Sequence, residues 1–123
     1  MAEYRSSRRE RGQRGEGAAA DFLEKLGYKI EARNFRTRYG EIDLIASDGD
    51  TLVFVEVRSR YTANLGPPEE SIGYKKRARL RQLALLYLSA YPGSWKGLRF
   101  DVVTVNYTGR MDQPLIKLYR NAL

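Results

Sequence analysis

Gly40-Glu41-Ile42-Asp43-Leu44-Ile45-Ala46-Ser47-Asp48-Gly49-Asp50-Thr51-Leu52-Val53-Phe54-Val55-Glu56-Val57-Arg58 is the stretch that decides the fold. β-Branched and apolar residues lie on both sides of an Asp-Gly pair, the short-range signature of a β-hairpin. With Asp48 and Gly49 as the turn residues, Ser47 faces Asp50, Asp43 faces Phe54 and Glu41 faces Glu56. A four-residue loop would instead set Asp43 opposite Glu56. In both registers Glu41, Asp43 and Glu56 share one face, because side chains alternate with period two, whereas a three-residue loop would separate them. Val53, Val55 and Val57 form the other face, an apolar set suited to packing under a helix.

Upstream, Ala19, Phe22, Leu23 and Leu26 recur at i, i+3, i+4 and i+7, which predicts a helix ended by Gly27. Tyr28 to Asn34 reads as a short strand before the hairpin. Downstream, a loop containing Gly66-Pro67-Pro68 leads to a second helix from about Glu69 or Glu70 to Tyr91. Its stripe is Ile72, Leu80, Leu83, Ala84, Tyr87, Leu88 and Tyr91, and Pro92-Gly93 stops it. Arg99 to Asn106 and Leu115 to Tyr119 complete the strands. The order α-β-β-β-α-β(-β) predicts an α/β fold, a mixed central sheet flanked by helices. Residues 1–11 read as a basic, flexible arm and 12–123 as a single domain.

Composition narrows the chemistry. The 123 residues contain neither Cys nor His, which removes thiolate chemistry, imidazole general bases and His- or Cys-ligated zinc. Catalysis must then rest on carboxylates, Lys, Tyr or a cation held by oxygen, and oxygen ligands select Mg²⁺, Mn²⁺ or Ca²⁺. Lys and Arg number 22 against 15 acids, a formal charge of +7 with a pI near 9.8. Such a balance attracts polyanions, nucleic acid foremost. No apolar run approaches the roughly 18 residues that cross a bilayer, and the start lacks the apolar stretch of a secretory signal. A soluble, cytoplasmic protein without a membrane partner is expected.

The hairpin acids repel one another unless a cation neutralises them. Asp43 and Glu56, with the Val57 carbonyl, offer oxygen ligands for one. The competing arrangement is a solvated face whose acids pair with nearby arginines. Two helical residues bear on the choice. Glu16 precedes Ala19, Ala20 and Leu23 by three, four and seven positions and so falls on the inward stripe, although an acid there also suits the helix dipole. Lys76 lies four residues after Ile72 and four before Leu80, which turns it toward the sheet, or leaves it snorkelling at the stripe edge.

Taken together, Gly15-Glu16-x-x-Ala19, the Gly-Glu-Ile-Asp-Leu-Ile-Ala run, Phe-Val-Glu-Val-Arg and Arg99-Phe100-Asp101-Val102-Val103 resemble the bacterial YraN-like family. Asp43 followed by Glu56-Val57-Arg58 looks like the D…E-x-K signature of the PD-(D/E)XK nucleases, related to Holliday junction resolvases. That resemblance implies a restriction-endonuclease-like αβββαβ core. It implies Mg²⁺ or Mn²⁺ on Asp43 and Glu56, with Glu16 as a further acidic ligand, and hydrolysis of phosphodiester bonds in branched DNA. The signature's lysine is Arg58 here, and an arginine does not act as a base. Either Arg58 supplies electrostatics alone, or the lysine's role has moved to Lys76, or catalysis is lost and binding remains.

Arg36 and Arg38 precede the acidic strand, Arg58 and Arg60 follow its partner, and Lys75 lies on the second helix. They form a phosphate-tracking surface in which Tyr39 and Tyr61 either stack on bases or cover the sheet edge. Lys75, Arg77, Arg79 and Arg81 also fit the solvated side of their helix. The expected partner is nucleic acid, DNA in preference to RNA. The expected activity is that of a metal-dependent endonuclease, with a catalytically silent DNA- or RNA-binding module as the alternative. A homodimer would suit a two-fold junction.

Overall fold

The computed structural model describes residues 8–61, 73–107 and 113–122, with side chains from Gly15 onward. The elements are α1 (Arg8–Lys25), β1 (Lys29–Thr37), β2 (Gly40–Asp48), β3 (Thr51–Arg60), α2 (Tyr74–Ala90), β4 (Gly97–Asn106) and β5 (Leu115–Tyr119). They form a 5-stranded sheet in the order β1-β2-β3-β4-β5. β3 and β4 run parallel, joined by the crossover that contains α2, and the other neighbours are antiparallel. This is the mixed α/β sheet expected from the order of elements.

Each helix stripe finds one face. Ala19, Ala20 and Leu23 of α1 pack on Leu44, Ala46, Val53, Val55, Val103 and Val105. Leu80, Leu83, Ala84 and Tyr87 of α2 pack on Ile42, Ile45, Leu52 and Phe54. Phe54 stacks on Phe100 at 5.4 Å, and the Tyr87 ring meets Phe35 edge-on at 5.3 Å. Gly27, at φ 97, closes α1 as foreseen. The Gly27 N–H donates to the Glu24 carbonyl and the Tyr28 N–H to that of Leu23, both at 3.0 Å, a Schellman arrangement. Leu26, assigned to the stripe from its spacing, lies past the helix end and is exposed.

Several boundaries differ from expectation. The hairpin turn is Gly49-Asp50, with Asp48 facing Thr51 and Ser47 facing Leu52. Gly49, at φ 59, takes the first central position, where a type II′ turn wants glycine. A turn centred on Asp48 would have forced that aspartate to a positive φ. Asp48 instead stays in the strand and pairs with Arg99 at 3.5 Å. The shift keeps every side chain on its face, since it moves the pairing by an even number of residues. α2 starts at Tyr74, later than expected, because Gly73 is extended (φ −82, ψ 165) and forms its N-cap. It ends at Ala90, so Tyr91 is its exposed C-cap. Ile72 and residues 62–68 of the Gly-Pro-Pro loop lie outside the described residues. So do residues 1–7 of the expected arm, whose remainder belongs to α1. No helix among the described residues is long and apolar enough to cross a membrane.

Two glycine substitutions are expected to have opposite signs. Gly40 sits at φ 141, and a Cβ there would meet Arg79 Cδ at 3.2 Å and Leu83 Cδ1 at 3.4 Å. Gly40→Ala should therefore cost about 1–3 kcal/mol in urea unfolding. Gly17 lies inside α1 with nothing within 4 Å, so Gly17→Ala should gain about 0.5–1 kcal/mol. Equal and opposite-to-expected shifts would show that neither backbone is as described.

Candidate metal centre

The β2–β3 ladder runs from Asp48↔Thr51 to Leu44↔Val55 and stops. Beyond it β3 continues alone with β4 as far as Arg60↔Asn106. At this fork the side chain of Asp43 takes over from the backbone, and the Val57 N–H donates to Asp43 Oδ2 at 2.8 Å. The same point carries a break in phase. Ala32 pairs with Ile45 and Phe35 with Ile42, both on the α2 side, whereas Leu44 belongs to the α1 side. Three residues instead of two thus separate positions of like face on both strands. Asn34, at φ 53, absorbs the turn on β1, a conformation asparagine tolerates better than most residues.

Glu16 arrives from the other direction. Gly15 is buried against β3, where a Cβ would collide with Ser59 Oγ. Lacking one, α1 closes on the strand and carries Glu16 to the fork. Carboxylate oxygens of Glu16, Glu41 and Asp43 lie within 4.8 Å of one another. Asn34 hydrogen-bonds Glu16, and Arg36 pairs with Glu41 at 3.3 Å.

Glu56 is not part of that group. Its side chain projects on the α2 side, where Lys76 Nζ contacts Oε1 and Arg58 donates to Oε2 at 3.2 Å. The strict period-two reading placed Glu41, Asp43 and Glu56 on one face. The phase break instead turns Asp43 toward Glu16, while Glu56 faces the helix. Lys76 does reach the sheet as its spacing predicted. Among the residues expected to bind nucleic acid, Arg36 is tied to Glu41, Arg38 lies over the Tyr39 ring at 4.8 Å, and Tyr61 stacks on Tyr107 at 5.1 Å. Arg60 ends β3, and Lys75 lies in the first turn of α2. Asn34 was missed from sequence, and Glu41 was noted in the cluster but left out of the ligand set.

Burial pushes the Asp43 carboxyl up to about 7, against the pull of the Val57 N–H and with the charges of Glu16, Glu41 and Glu56 adding to it. Glu16 is raised as well, by burial first and Glu41 second, with Asn34 and Arg36 pulling it back. Three acids held this close, two of them resisting ionisation, fit a divalent cation, whose charge offsets the repulsion and whose ligands are all hard oxygens.

Fold and cluster together define an α/β protein with an acidic centre at a fork in its sheet. The model of the uncharacterised protein family UPF0102 matches residues 15–105, and the chain belongs to that family. A UPF0102 protein of Nocardia farcinica is 50% identical over 97 residues, 79% of this chain and 76% of that protein. One from Moorella thermoacetica is 48% identical over 99 residues, 80% of this chain and 82% of its own. A third, from Rhodococcus opacus, is 44% identical over 111 residues, 90% of this chain and 93% of the relative. The matched stretch opens at Gly15 and contains every residue of the fork.

The raised Asp43 has a definite sign in stability. Its proton is held more tightly in the folded than in the unfolded chain. The stabilisation is full below the unfolded value near 3.8 and is lost as pH rises through about 7. Metal-free protein should therefore lose stability across that window. Asp43→Asn, whose amide oxygen still accepts from Val57, should flatten the loss and raise stability at pH 8 by roughly 2 kcal/mol after solvent screening. Thermal melts from pH 4 to 8 in chelator test this, and parallel curves for the two proteins would refute it.

Proposed function

We propose that this protein is a Mg²⁺- or Mn²⁺-dependent endonuclease of the PD-(D/E)XK kind that hydrolyses phosphodiester bonds in branched DNA. The observation that carries the reading is the gathering of Glu16, Glu41 and Asp43 at the fork, beside Arg58 and Lys76 on Glu56. Glu16, Glu41 and Asp43 would hold the cation, which would polarise the phosphodiester and favour deprotonation of the attacking water. Val57 fixes Asp43 through its N–H, and Asn34 fixes Glu16. Glu56 holds Arg58 and Lys76 on the α2 side of the fork, and a phosphate that reached both sides would have its transition-state charge stabilised by them. Arg58 serves as electrostatics only, since a guanidinium keeps its proton. The signature's lysine thus has its counterpart in Lys76, contributed by α2. A net charge of +7 supports a polyanionic substrate, and the preference for junctions rests on the resemblance to Holliday junction resolvases.

A specific feature favours the alternative, a silent DNA- or RNA-binding module: both Glu56 oxygens are engaged by cations of the chain itself. Cleavage of labelled duplex, single-stranded and four-way-junction DNA with Mg²⁺ or Mn²⁺ decides between them. Asp43→Ala is expected to abolish cutting, by at least about 100-fold, while leaving binding intact. Binding by the wild type without any cutting would establish the silent module.

Glu56 has its own test. As the residue that positions Arg58 and Lys76, Glu56→Gln should lower the cleavage rate while Mn²⁺ binding, followed by calorimetry, stays within about threefold. If Glu56→Gln instead loses Mn²⁺ as completely as Asp43→Asn, Glu56 is a ligand, as the nuclease signature implies.

A further inference from the structure

Between the β1–β2 turn and the N-terminal half of α2 lies an open cavity of about 460 Å³ lined by Tyr39, Tyr74, Lys75, Ala78, Arg79 and Gln82. Two features of this lining are unusual for an ordinary surface dent. Tyr39 and Tyr74 are 41% and 84% exposed, so two aromatic rings are presented to solvent with no core to cover them. The charged members, Lys75 and Arg79, are both cations, and the lining contains no acid.

The Tyr39 ring is held in place. Tyr39 sits in the β1–β2 turn, where its N–H donates to Thr37 Oγ1 at 3.0 Å. The Arg38 guanidinium lies 4.8 Å from the Tyr39 ring centroid and donates to its hydroxyl. Tyr74 is the first residue of α2, and the first turn of that helix holds no acidic residue to oppose its dipole. Arg79 packs along Gly40, next in sequence to Glu41 of the acidic cluster, and Lys75 precedes the Lys76 that reaches Glu56. The cavity therefore lies between the N-terminal half of α2 and the start of β2.

Aromatic faces bind bases through stacking, lysine and arginine bind phosphate, and a glutamine amide both donates to and accepts from a base edge. A duplex keeps its bases stacked and offers none to such a cavity. We propose that the Tyr39–Tyr74 cavity takes an unpaired nucleotide of a DNA strand, its base against the tyrosines and its phosphate on Lys75 and Arg79. This deepens the nuclease reading and rests on it for the identity of the polymer. It assigns the substrate preference to a single-stranded flank or gap next to the duplex that reaches the fork.

The test uses the full chain in Ca²⁺ or chelator, where binding is read without cutting. Probes are a plain duplex and the same duplex with a two-nucleotide gap carrying 2-aminopurine. The wild type should bind the gapped probe more tightly and quench its fluorescence. Tyr74→Ala should lose about tenfold or more in affinity for the gapped probe, the effect of one base–aromatic stack, with duplex binding unchanged. Tyr74→Phe should restore both affinity and quenching, which separates stacking from a fault in folding. If Tyr74→Ala and Tyr39→Ala leave both the gap preference and the quenching untouched, the cavity does not hold the nucleotide, and the nuclease reading stands or falls separately on the Asp43 cleavage assay. Quenching that depends on Tyr74 in a protein that never cuts would keep the cavity and remove the nuclease.

Discussion

The fork between β2 and β3 depends on one substitution of a side chain for a backbone. Where the ladder ends at Leu44↔Val55, the next N–H of β3 to need a partner is that of Val57, and the Asp43 carboxylate supplies it. A half-buried N–H left unpaired would cost about as much as a lost hydrogen bond. The strands can therefore separate only if a side-chain acceptor fills the gap. An aspartate does so with one oxygen and keeps the other for different work. The carboxylate that makes the fork possible is thus placed in the environment that raises its proton affinity.

Everything that reaches this point is shaped to let it do so. Gly15 removes the Cβ that would hold α1 away from β3. Gly40 does the same for α2 at the start of β2, where Arg79 and Leu83 press on the strand. One helix delivers an acid, Glu16, and the other a base, Lys76, to opposite sides of the same sheet edge. Glu16, Glu41 and Asp43 gather on one side of the break, and Glu56 holds Arg58 and Lys76 on the other. Of the acidic cluster, Glu41 is paired with Arg36 of β1, while Arg58 and Lys76 are held by Glu56 instead.

Much of this was legible in the sequence, and the exceptions have physical causes. Helix faces, strand identities and the mixed sheet followed from periodicity, because burial on two faces leaves a periodic trace. Glu16 and Lys76 followed from the same stripes extended by a turn. The turn residues did not, since Asp48-Gly49 and Gly49-Asp50 both suit a primed turn and the Asp48–Arg99 contact, 51 positions apart in the chain, favours the second; the register itself, Ser47 facing Leu52, is that of the four-residue alternative. The phase break was hidden for a different reason. Asn34 looks like an ordinary strand residue until its φ of 53 is known. Its one trace is that Ile42, Leu44 and Ile45 are all apolar where strict alternation would allow two of the three. Strict alternation therefore grouped Glu41 and Asp43 with Glu56, whereas the acid gathered with them comes from α1.

The same geometry bears on Arg58, which under the proposed nuclease reading stands where the signature has lysine. Glu56 is only 12% exposed, as is nearly true of Arg58 at 16%, whereas Lys76 is 44% exposed. A planar, permanently charged guanidinium suits the inner position, because it holds a carboxylate through a fixed fork and its charge does not depend on pH. An ammonium on a flexible stem suits the outer one, since it can exchange a carboxylate for a phosphate without leaving a buried charge unpaired. Were the two exchanged, removal of the inner lysine toward a substrate would strand Glu56 in a poorly solvated site, at a cost of several kcal/mol. The arginine on the strand and the lysine on the helix are in this view one arrangement: the first keeps Glu56 neutralised so that the second is at liberty to act.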